Sequence, residues 1–451
     1  MKLLKLPDKV KVLVVGSGGR EAALVYLLAQ SLRVIGLWIA PGNVLAALER
    51  LRSNGDFAQC VDIKATNVAA IVQFCLENGI HLVVIGPEAA LFAGLADELR
   101  KHDIGVFGHS QAAAGLEQDK WEFQQRAAAA GVPVAPGDCF SDFDSALRYC
   151  AGYGFRVALK PRFANEGKGV TVHSDEETAT VTLLEMMQGS CGEAGRQVVV
   201  QKRVYGFEAS LHGIVNASPD ARVCGPIVPF DSSMDHKPVY DDRHDPVGGG
   251  SAAISPHPHI TKAQLARYST DVFTPYENML SGLDACGVVF PGIMVQEDGQ
   301  AVVLEGNKRF GDPETQAYAL RLKSDFMDIV DKALQGVLRP EDIEWHDVVA
   351  VCVVMMAKGY PDSSKVKQLK GTPIIGIERA LQDPRVKLFG AGITRNSSGQ
   401  FVVDGGRVIG VTALGETLEH ASKIAYDTVR SLDPEPREGS WAHYRLKIGG
   451  R

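Results

Sequence analysis

Glu305, Asn307 and Arg309 stand two residues apart at the end of the apolar run Val302-Val303-Leu304. Residues two apart on a strand share a face. A carboxylate and an amide oxygen on one face are hard oxygen donors of the kind Mg²⁺ takes. A guanidinium that continues the row can grip a phosphate or carboxylate through two parallel hydrogen bonds. Asp312 and Glu314 add two more acids within the next five residues. The chemistry this suggests is phosphoryl transfer around a metal. An ordinary strand end followed by a Gly-Asp-Pro turn would use the same residue types, so spacing alone leaves both readings open.

Other candidates lie upstream. Lys160 ends the apolar run Val157-Ala158-Leu159, and Lys168 sits inside Gly167-Lys168-Gly169. Two ammonium groups there could hold a polyphosphate beneath a loop, although the glycine spacing is not that of a P-loop. The run Val198 to Val204 contains Gln201 and Lys202 and leads through Gly206 to Glu208. Such a strand could hold an adenine by its backbone and a ribose hydroxyl by the acid; a hairpin with an exposed Glu fits equally well. Asp235-His236-Lys237 puts an acid, an imidazole and a cation side by side. At most two of them should face one site on a strand.

These groups need elements to carry them. Val12 to Val15, Val34 to Ile39, His81 to Ile85 and Val106-Phe107 alternate with helical patterns, beginning with Ala22 to Gln30, and predict an open parallel sheet. Ligands of such sheets lie at the carboxyl ends of the strands, which makes Asn43 and Glu88 pocket candidates. The turn Gly16-Ser17-Gly18-Gly19-Arg20-Glu21 should leave backbone N–H groups free for an anion at a helix N-terminus. Glu21 stands where a dinucleotide fingerprint would have its third glycine. Further on, Ser110 to Ala130 reads as one helix interrupted at Gly115, Pro229 to Pro256 as a long polar loop, and Gln316 to Leu334 as a helix. Val348 to Met355, Thr372 to Ile377 and Gly406 to Thr412 read as strands, Leu418 to Leu432 as a helix, and Asp404 to Arg407 as a hairpin turn. The tail after Pro434 reads as loosely held.

With 451 residues the chain is long enough for several domains. The expected divisions are 1–113, an N-terminal α/β domain; 114–335, a central domain with a lid at about 124–196; 336–433, a C-terminal domain; and 434–451, a tail. The net charge of −7, without a basic block, argues against nucleic acid or an anionic membrane as the main partner. No run approaches the length of a membrane span, and the N-terminus has no signal-peptide pattern. Eight scattered cysteines read as buried or semi-buried free thiols in a reducing cytosol, hence a cytoplasmic protein.

The motifs gain meaning from their order. Gly16 to Glu21, Pro41-Gly42-Asn43, Ile85 to Glu88, Lys160 with Gly167-Lys168-Gly169, Gly206 to Ser210, Asp235-His236-Lys237, Arg309 to Gln316 and Gly405-Gly406-Arg407-Val408 follow one another as in the phosphoribosylamine-glycine ligase family of the ATP-grasp superfamily, which this chain resembles over nearly its whole length. The resemblance implies an α/β ATP-grasp fold with an N-terminal open parallel-sheet domain, a small lid and a C-terminal domain. It implies an enzyme that uses ATP and Mg²⁺, for which Mn²⁺ could substitute, to phosphorylate the carboxylate of glycine before the amine of phosphoribosylamine attacks. By it, Lys160 and Lys168 hold ATP phosphates, Gln201, Lys202 and Val204 the adenine, Glu208 the ribose, and Glu305 and Asn307 the metal. Arg309, Asp312 and Lys168 form the expected catalytic set, and Gly18, Arg20, Glu21, Asn43, Glu88, Asp235, Lys237 and Arg309 the expected substrate contacts. Small molecules are then the partners, and the protein a monomer or homodimer.

Departures from the family pattern cluster on the substrate side. Ala22 replaces a His, Pro238 an Arg, and Pro246 to Ala253 reads Pro-Val-Gly-Gly-Gly-Ser-Ala-Ala where Pro-Asn-Thr-Gly-Gly-Met-Gly-Ala is usual. Gln201 stands in place of an acid, and Asn165-Glu166 in place of small residues. A diverged paralogue that joins another amino acid or amine, and a nucleotide-binding protein without ligase chemistry, remain the alternatives.

Overall fold

Five short apolar runs build the first sheet: β1 (Val10–Gly16), β2 (Val34–Pro41), β3 (Gln59–Cys60), β4 (Leu82–Ile85) and β5 (Gly105–Phe107). Their order is β3-β2-β1-β4-β5, and every pairing is parallel. Val12, Leu13, Val14 and Val15 are all fully buried, because helices cover both faces and abolish the polar alternation of a half-exposed strand. The computed structural model describes residues 3–163, 169–241, 246–433 and 440–449. Lys168, with Asn165-Glu166 and Gly167, lies outside the described residues.

A second, antiparallel sheet follows, from β6 (Gly137–Phe140), β7 (Val157–Pro161), β8 (Thr171–Val172) and β9 (Val198–Lys202) in the order β6-β9-β7-β8. It has a core of its own, in which Ala146 and Cys150 on one helix and Leu183 on another pack over Val157, Leu159, Val198 and Val200. The unit is anchored where Arg162 Nη2 meets Asp119 at 2.7 Å.

The largest sheet is antiparallel and carries β10 (Phe207–Val215), β11 (Ile227–Pro238), β12 (Val247–Ser255), β13 (Gly287–Val295), β14 (Ala301–Asn307), β15 (Val349–Ala357) and β16 (Val386–Gly390). A small separate hairpin pairs β17 (Ile393–Arg395) with β18 (Phe401–Val403), after which β19 (Arg407–Gly415) returns to the large sheet between β15 and β16. The path is β14-β13-β10-β11-β12-β15-β19-β16, with β20 (Ala442–His443) pairing β15.

Several local expectations are corrected. The Pro229 to Pro256 stretch is mostly strand, as β11 and β12, with Met234, Asp235 and His236 opposite Ile254, Ala253 and Ala252. Pairing with neighbours overrides its low intrinsic preference for strand. The helix over Ser110 to Ala130 breaks at Asp119, not Gly115, because the Asp119 carboxylate caps the N–H groups of Trp121 and Glu122. Gln316 to Leu334 splits into Glu314–Arg321 and Phe326–Leu334, the second capped by Asp325. Thr372 to Ile377 is not a strand: Ile377 begins a short helix. Asp404 to Arg407 turns the chain, but β18 and β19 pair with other strands, so it closes no hairpin. Cys60 is exposed, unlike the other cysteines, and all eight are free. Residues 440–449 are held down, since Trp441 is buried and Ala442 pairs with Ala357. Among the described residues no helix is long and apolar enough to cross a membrane.

Candidate active site

The end of β14 presents the row seen in the sequence. Asn307 Nδ2 lies 3.5 Å from Glu305 Oε1, and Arg309 Nη2 lies 3.3 Å from Asn307 Oδ1. Opposite Glu305 on β13 is Gly292, which has no side chain to block the face, and beyond it on β10 stands Ser210. Across that gap Lys237 on β11 reaches back, its Nζ 3.4 Å from Glu305 Oε1 and 3.3 Å from Glu208 Oε2. Four strands thus converge on one polar face. Asp235 shares this side of β11, while His236 points away and accepts from Gly449 N–H at 3.2 Å. Two of the three adjacent polar residues face the site, as strand geometry requires.

Acids and cations are interleaved in the cleft, and each sets the charge of its neighbours. The Lys237 ammonium is the main force that holds Glu305 at about 2, although burial opposes it. Lys237 itself is held well above its ordinary range by Glu208 and then Glu305. Burial pushes Glu88 upward, but the charges of Arg309 and Arg20 outweigh it and bring it to about 2. Arg309 lies 3.3 Å from Glu88 and 3.4 Å from Glu117. Lys160 donates to the Leu304 carbonyl at 2.8 Å, and burial lowers it to about 8. The groups that could meet a polyphosphate and a divalent ion are therefore assembled and mostly ionised.

The N-terminal turn meets this cleft from the other side. The N–H of Gly18 is taken by Glu21 Oε2 at 2.7 Å, so the expected free anion cradle is filled at that position by the chain's own carboxylate. The absence of side chains at Gly16 and Gly86 makes room for it: a Cβ at either would collide with Glu21. Arg20 pairs with Glu21 at 2.6 Å and donates to the Phe310 carbonyl at 3.1 Å. Asn43 is turned into the protein. Its amide donates to the carbonyls of Ser17 and Gly390 and accepts from Leu45 and Ala46, which fills the bonding capacity of a carboxamide. Asp312 is pushed up by burial yet held below its usual value by Arg407 and Arg20; Arg407 Nη2 lies 3.2 Å from it and Gln316 donates to it at 2.7 Å.

Gln201, Lys202 and Val204 sit at the end of β9 and just beyond. Gln201 is buried and bonds the Gln124 amide, whereas Lys202 is exposed. No site role is assigned from the sequence to Glu117, Lys308, Ser210, Glu314 or Arg407. Lys308 is only 1% exposed, bonds Tyr276 Oη at 2.8 Å, and is lowered by burial to about 7. Glu314 is buried behind Ser210 Oγ, 3.0 Å away, and burial, then the nearby Asp235, raise it to about 7. Burial likewise raises Asp235 to about 6. Glu314 and Arg407 lay within quoted motifs; Glu117 had no local signal, because only folding brings it to Arg309.

The donor set suits Mg²⁺. Among the described residues no three His, Cys, Asp or Glu side chains cluster as a metal cage. Mg²⁺ typically takes one or two protein oxygens and completes its shell with substrate phosphates and water; an ionised Glu305 would supply one, and the Asn307 amide oxygen, which here accepts from Arg309, would supply the other once turned to the ion.

Comparison with known proteins agrees with this architecture. The chain matches the N domain of phosphoribosylglycinamide synthetase over residues 10–117, its ATP-grasp (A) domain over 119–315 and its C domain over 350–451. It is 37% identical over 426 residues to the phosphoribosylamine–glycine ligase of Mesorhizobium japonicum, covering 94% of this chain and 95% of that one. With the enzyme of that name from Caulobacter vibrioides it shares 37% identity over 448 residues, covering 98% and 99%. The crystal structure of phosphoribosylamine–glycine ligase from Thermotoga maritima superimposes with a TM-score of 0.74 at 23% identity, over 97% of this chain and 99% of that one. The biotin carboxylase domain of Hydrogenobacter thermophilus 2-oxoglutarate carboxylase, crystallised with MgADP, shares the fold at a TM-score of 0.67 and 17% identity, over 97% of this chain and 92% of that one. With all three domain types matched in order around one cleft, this chain belongs to the phosphoribosylglycinamide synthetase family.

Proposed function

We propose that this protein joins the carboxylate of glycine to the amine of 5-phosphoribosylamine, with ATP and Mg²⁺, to make glycinamide ribonucleotide for purine biosynthesis. The observation that carries this reading is the Glu305, Asn307 and Arg309 row with Lys237 reaching into it, on a chain with relatives of that name at 37% identity over nearly its whole length. Glu305 and Asn307 would hold the metal, which neutralises charge on the transferring phosphoryl group. Lys160 and Lys168 would hold the phosphates, Gln201, Lys202 and Val204 the adenine, and Glu208 the ribose. Arg309 would stabilise the charge that builds up during phosphoryl transfer. Glycine carboxylate attacks the γ-phosphorus, ADP leaves, and the amine then displaces phosphate from the acyl carbon. Closure of the lid keeps water from the acyl phosphate.

On the substrate side, Gly18, Arg20, Glu21, Glu88, Asp235, Lys237 and Arg309 would bind or orient the amine and the acid. Asp312 would hold Arg407 and Arg20 in place, and Asn43 would act by fixing the loop that follows β2. The domain divisions expected from the sequence, a cytoplasmic location and a monomer or homodimer are part of the same reading. A second reading, a paralogue that takes another amino acid or amine, draws support from Pro238 and Val247. They stand where the family has a cation and an amide, and Val247 is exposed beside the cleft-facing strands. Incubation with ATP, Mg²⁺, glycine and freshly generated phosphoribosylamine decides between them: mass spectrometry should detect glycinamide ribonucleotide, and its absence beside ATP turnover with another amino acid would favour the paralogue.

A further inference from the structure

Behind the cleft, three buried polar side chains form a file that ends on the site. His212 on β10, Ser233 on β11 and Tyr318 on the helix Glu314–Arg321 are each no more than 1% exposed. The Gly311 N–H donates to His212 Nε2 at 3.0 Å. His212 Nδ1 lies 3.0 Å from Tyr318 Oη, which lies 2.6 Å from Ser233 Oγ. The first member fixes the direction of the rest. A backbone N–H can only donate, so Nε2 must carry the lone pair. The proton of the neutral ring is then on Nδ1 and is donated to Tyr318, whose own proton goes to Ser233. A charged imidazole would set N–H against N–H. Phe290 stacks on the ring at 4.2 Å between centroids, and burial, with the charge of Arg309, holds His212 well below its ordinary range.

The peptide at the end of the file joins Phe310 to Gly311. Its carbonyl accepts from Arg20 Nη1 at 3.1 Å and from Arg309 Nη1 at 3.2 Å. One peptide plane therefore links two site guanidiniums, and the acceptor facing its N–H sets the tilt of that plane. A buried histidine is most simply a satisfied core residue; this one is satisfied by the turn that follows Arg309 and receives Arg20. We propose that His212, whose neutral Nδ1–H form is set by the Gly311 N–H on Nε2 and passed on to Tyr318 and Ser233, is a positioning residue that orients the Phe310–Gly311 peptide and, through it, Arg20 and Arg309. The consequence for catalysis rests on the ligase reading above; the tautomer does not.

The test uses full-length protein labelled with ¹⁵N-histidine, in which the signal lost on His212→Gln assigns the ring. The expected spectrum is that of a neutral ring protonated on Nδ1 and unchanged between about pH 6 and 8; an Nε2–H or charged ring overturns the proposal. In the activity arm, Gln keeps an acceptor where Nε2 was, and its kcat should stay within about threefold of wild type. His212→Leu strands the Gly311 N–H, and kcat should fall roughly 10- to 100-fold, with KM for ATP changing less than kcat. Equal kcat in folded Gln and Leu variants would contradict the proposal. Should the Leu variant fail to fold, Tyr318→Phe decides: it removes the acceptor of Nδ1–H, so a shifted Nδ1 signal, with Nε2 still unprotonated, and a reduced kcat are expected, and wild-type values of both would overturn the proposal. Wild-type protein that makes no glycinamide ribonucleotide would sink the ligase reading, while the imidazole signal still decides the file.

Discussion

The face of the cleft that runs from β14 to Lys237 on β11 and the face opposite it, where the N-terminal turn and Arg407 stand, are built differently, and in the function proposed above the difference separates energy supply from substrate choice. At and just beyond the end of β14, Glu305, Asn307 and Arg309 form one row that meets Lys237, Glu88 and Glu117. Across the cleft, the polar residues engage their own protein: Glu21 fills the Gly18 turn, Asn43 is saturated by backbone groups, and Arg407 is spent on Asp312 and the Gly249 carbonyl. Of the departures from the family pattern, Ala22 lies on the helix behind the Gly18 turn, and Pro238 and Val247 pair at the end of β11 and the start of β12. A site for nucleotide phosphates is set by charge and metal geometry, which tolerate little change. Recognition of an amine rests on individual polar contacts, which can be traded one at a time.

The comparison breaks most visibly at Glu305. Glu305→Ala should lower Mg²⁺-dependent ADP release by about 10³-fold with any acid and amine, measured by coupled assay on protein whose thermal unfolding is unchanged. ADP release that survives would mean that Glu305 does not hold the metal, whereas ATP binding that survives Glu305→Ala, with no ADP release from the wild type with any acid, would favour a nucleotide-binding protein without ligase chemistry. Lys237→Ala comes next. It removes the cation between Glu208 and Glu305 and should cost about 10²-fold in kcat/KM; an effect confined to the KM for the amine would instead place Lys237 wholly on the substrate side.

The substrate side predicts smaller changes. Val247→Asn restores a polar group at an exposed position and should lower the KM for phosphoribosylamine by about three- to tenfold while leaving the KM for ATP alone. No change in either would mean that this position does not face the amine. Smallest is a pH effect on the ATP side. Burial lowers Lys160 to about 8, so its charge is present below that pH and lost as pH rises through it. The KM for ATP should therefore climb a few-fold above about pH 8, and Lys160→Arg, which stays charged, should flatten the rise.

Much of this architecture could be read in the sequence where local pattern and tertiary context agree. The helix Leu418–Leu432 and the strand carrying Glu305 and Asn307 emerge as expected because their periodicity and burial point the same way. The stretch Pro229 to Pro256 reads as loop because glycine, serine and aspartate disfavour strand, whereas partners on both sides hold it as β11 and β12. Side-chain caps split the helices near Asp119 and Asp325, and a cap looks like any other acid until its N–H partners are known. In the cleft, the i, i+2 row was visible, but Glu117, Ser210 and His212 reach it from more than ninety residues away, and one-dimensional spacing carries no trace of such contacts.

In the proposed function, Glu305, Asn307 and Arg309 serve glycine and phosphoribosylamine despite the altered substrate side. The most direct test is a screen of amino acids against amines for Mg²⁺-dependent ADP formation, with products identified by mass. Glycine with phosphoribosylamine should give the highest kcat/KM and glycinamide ribonucleotide as product. A higher value for another pair, abolished in Glu305→Ala, would contradict the assignment of substrate while sparing the phosphoryl-transfer half of the account.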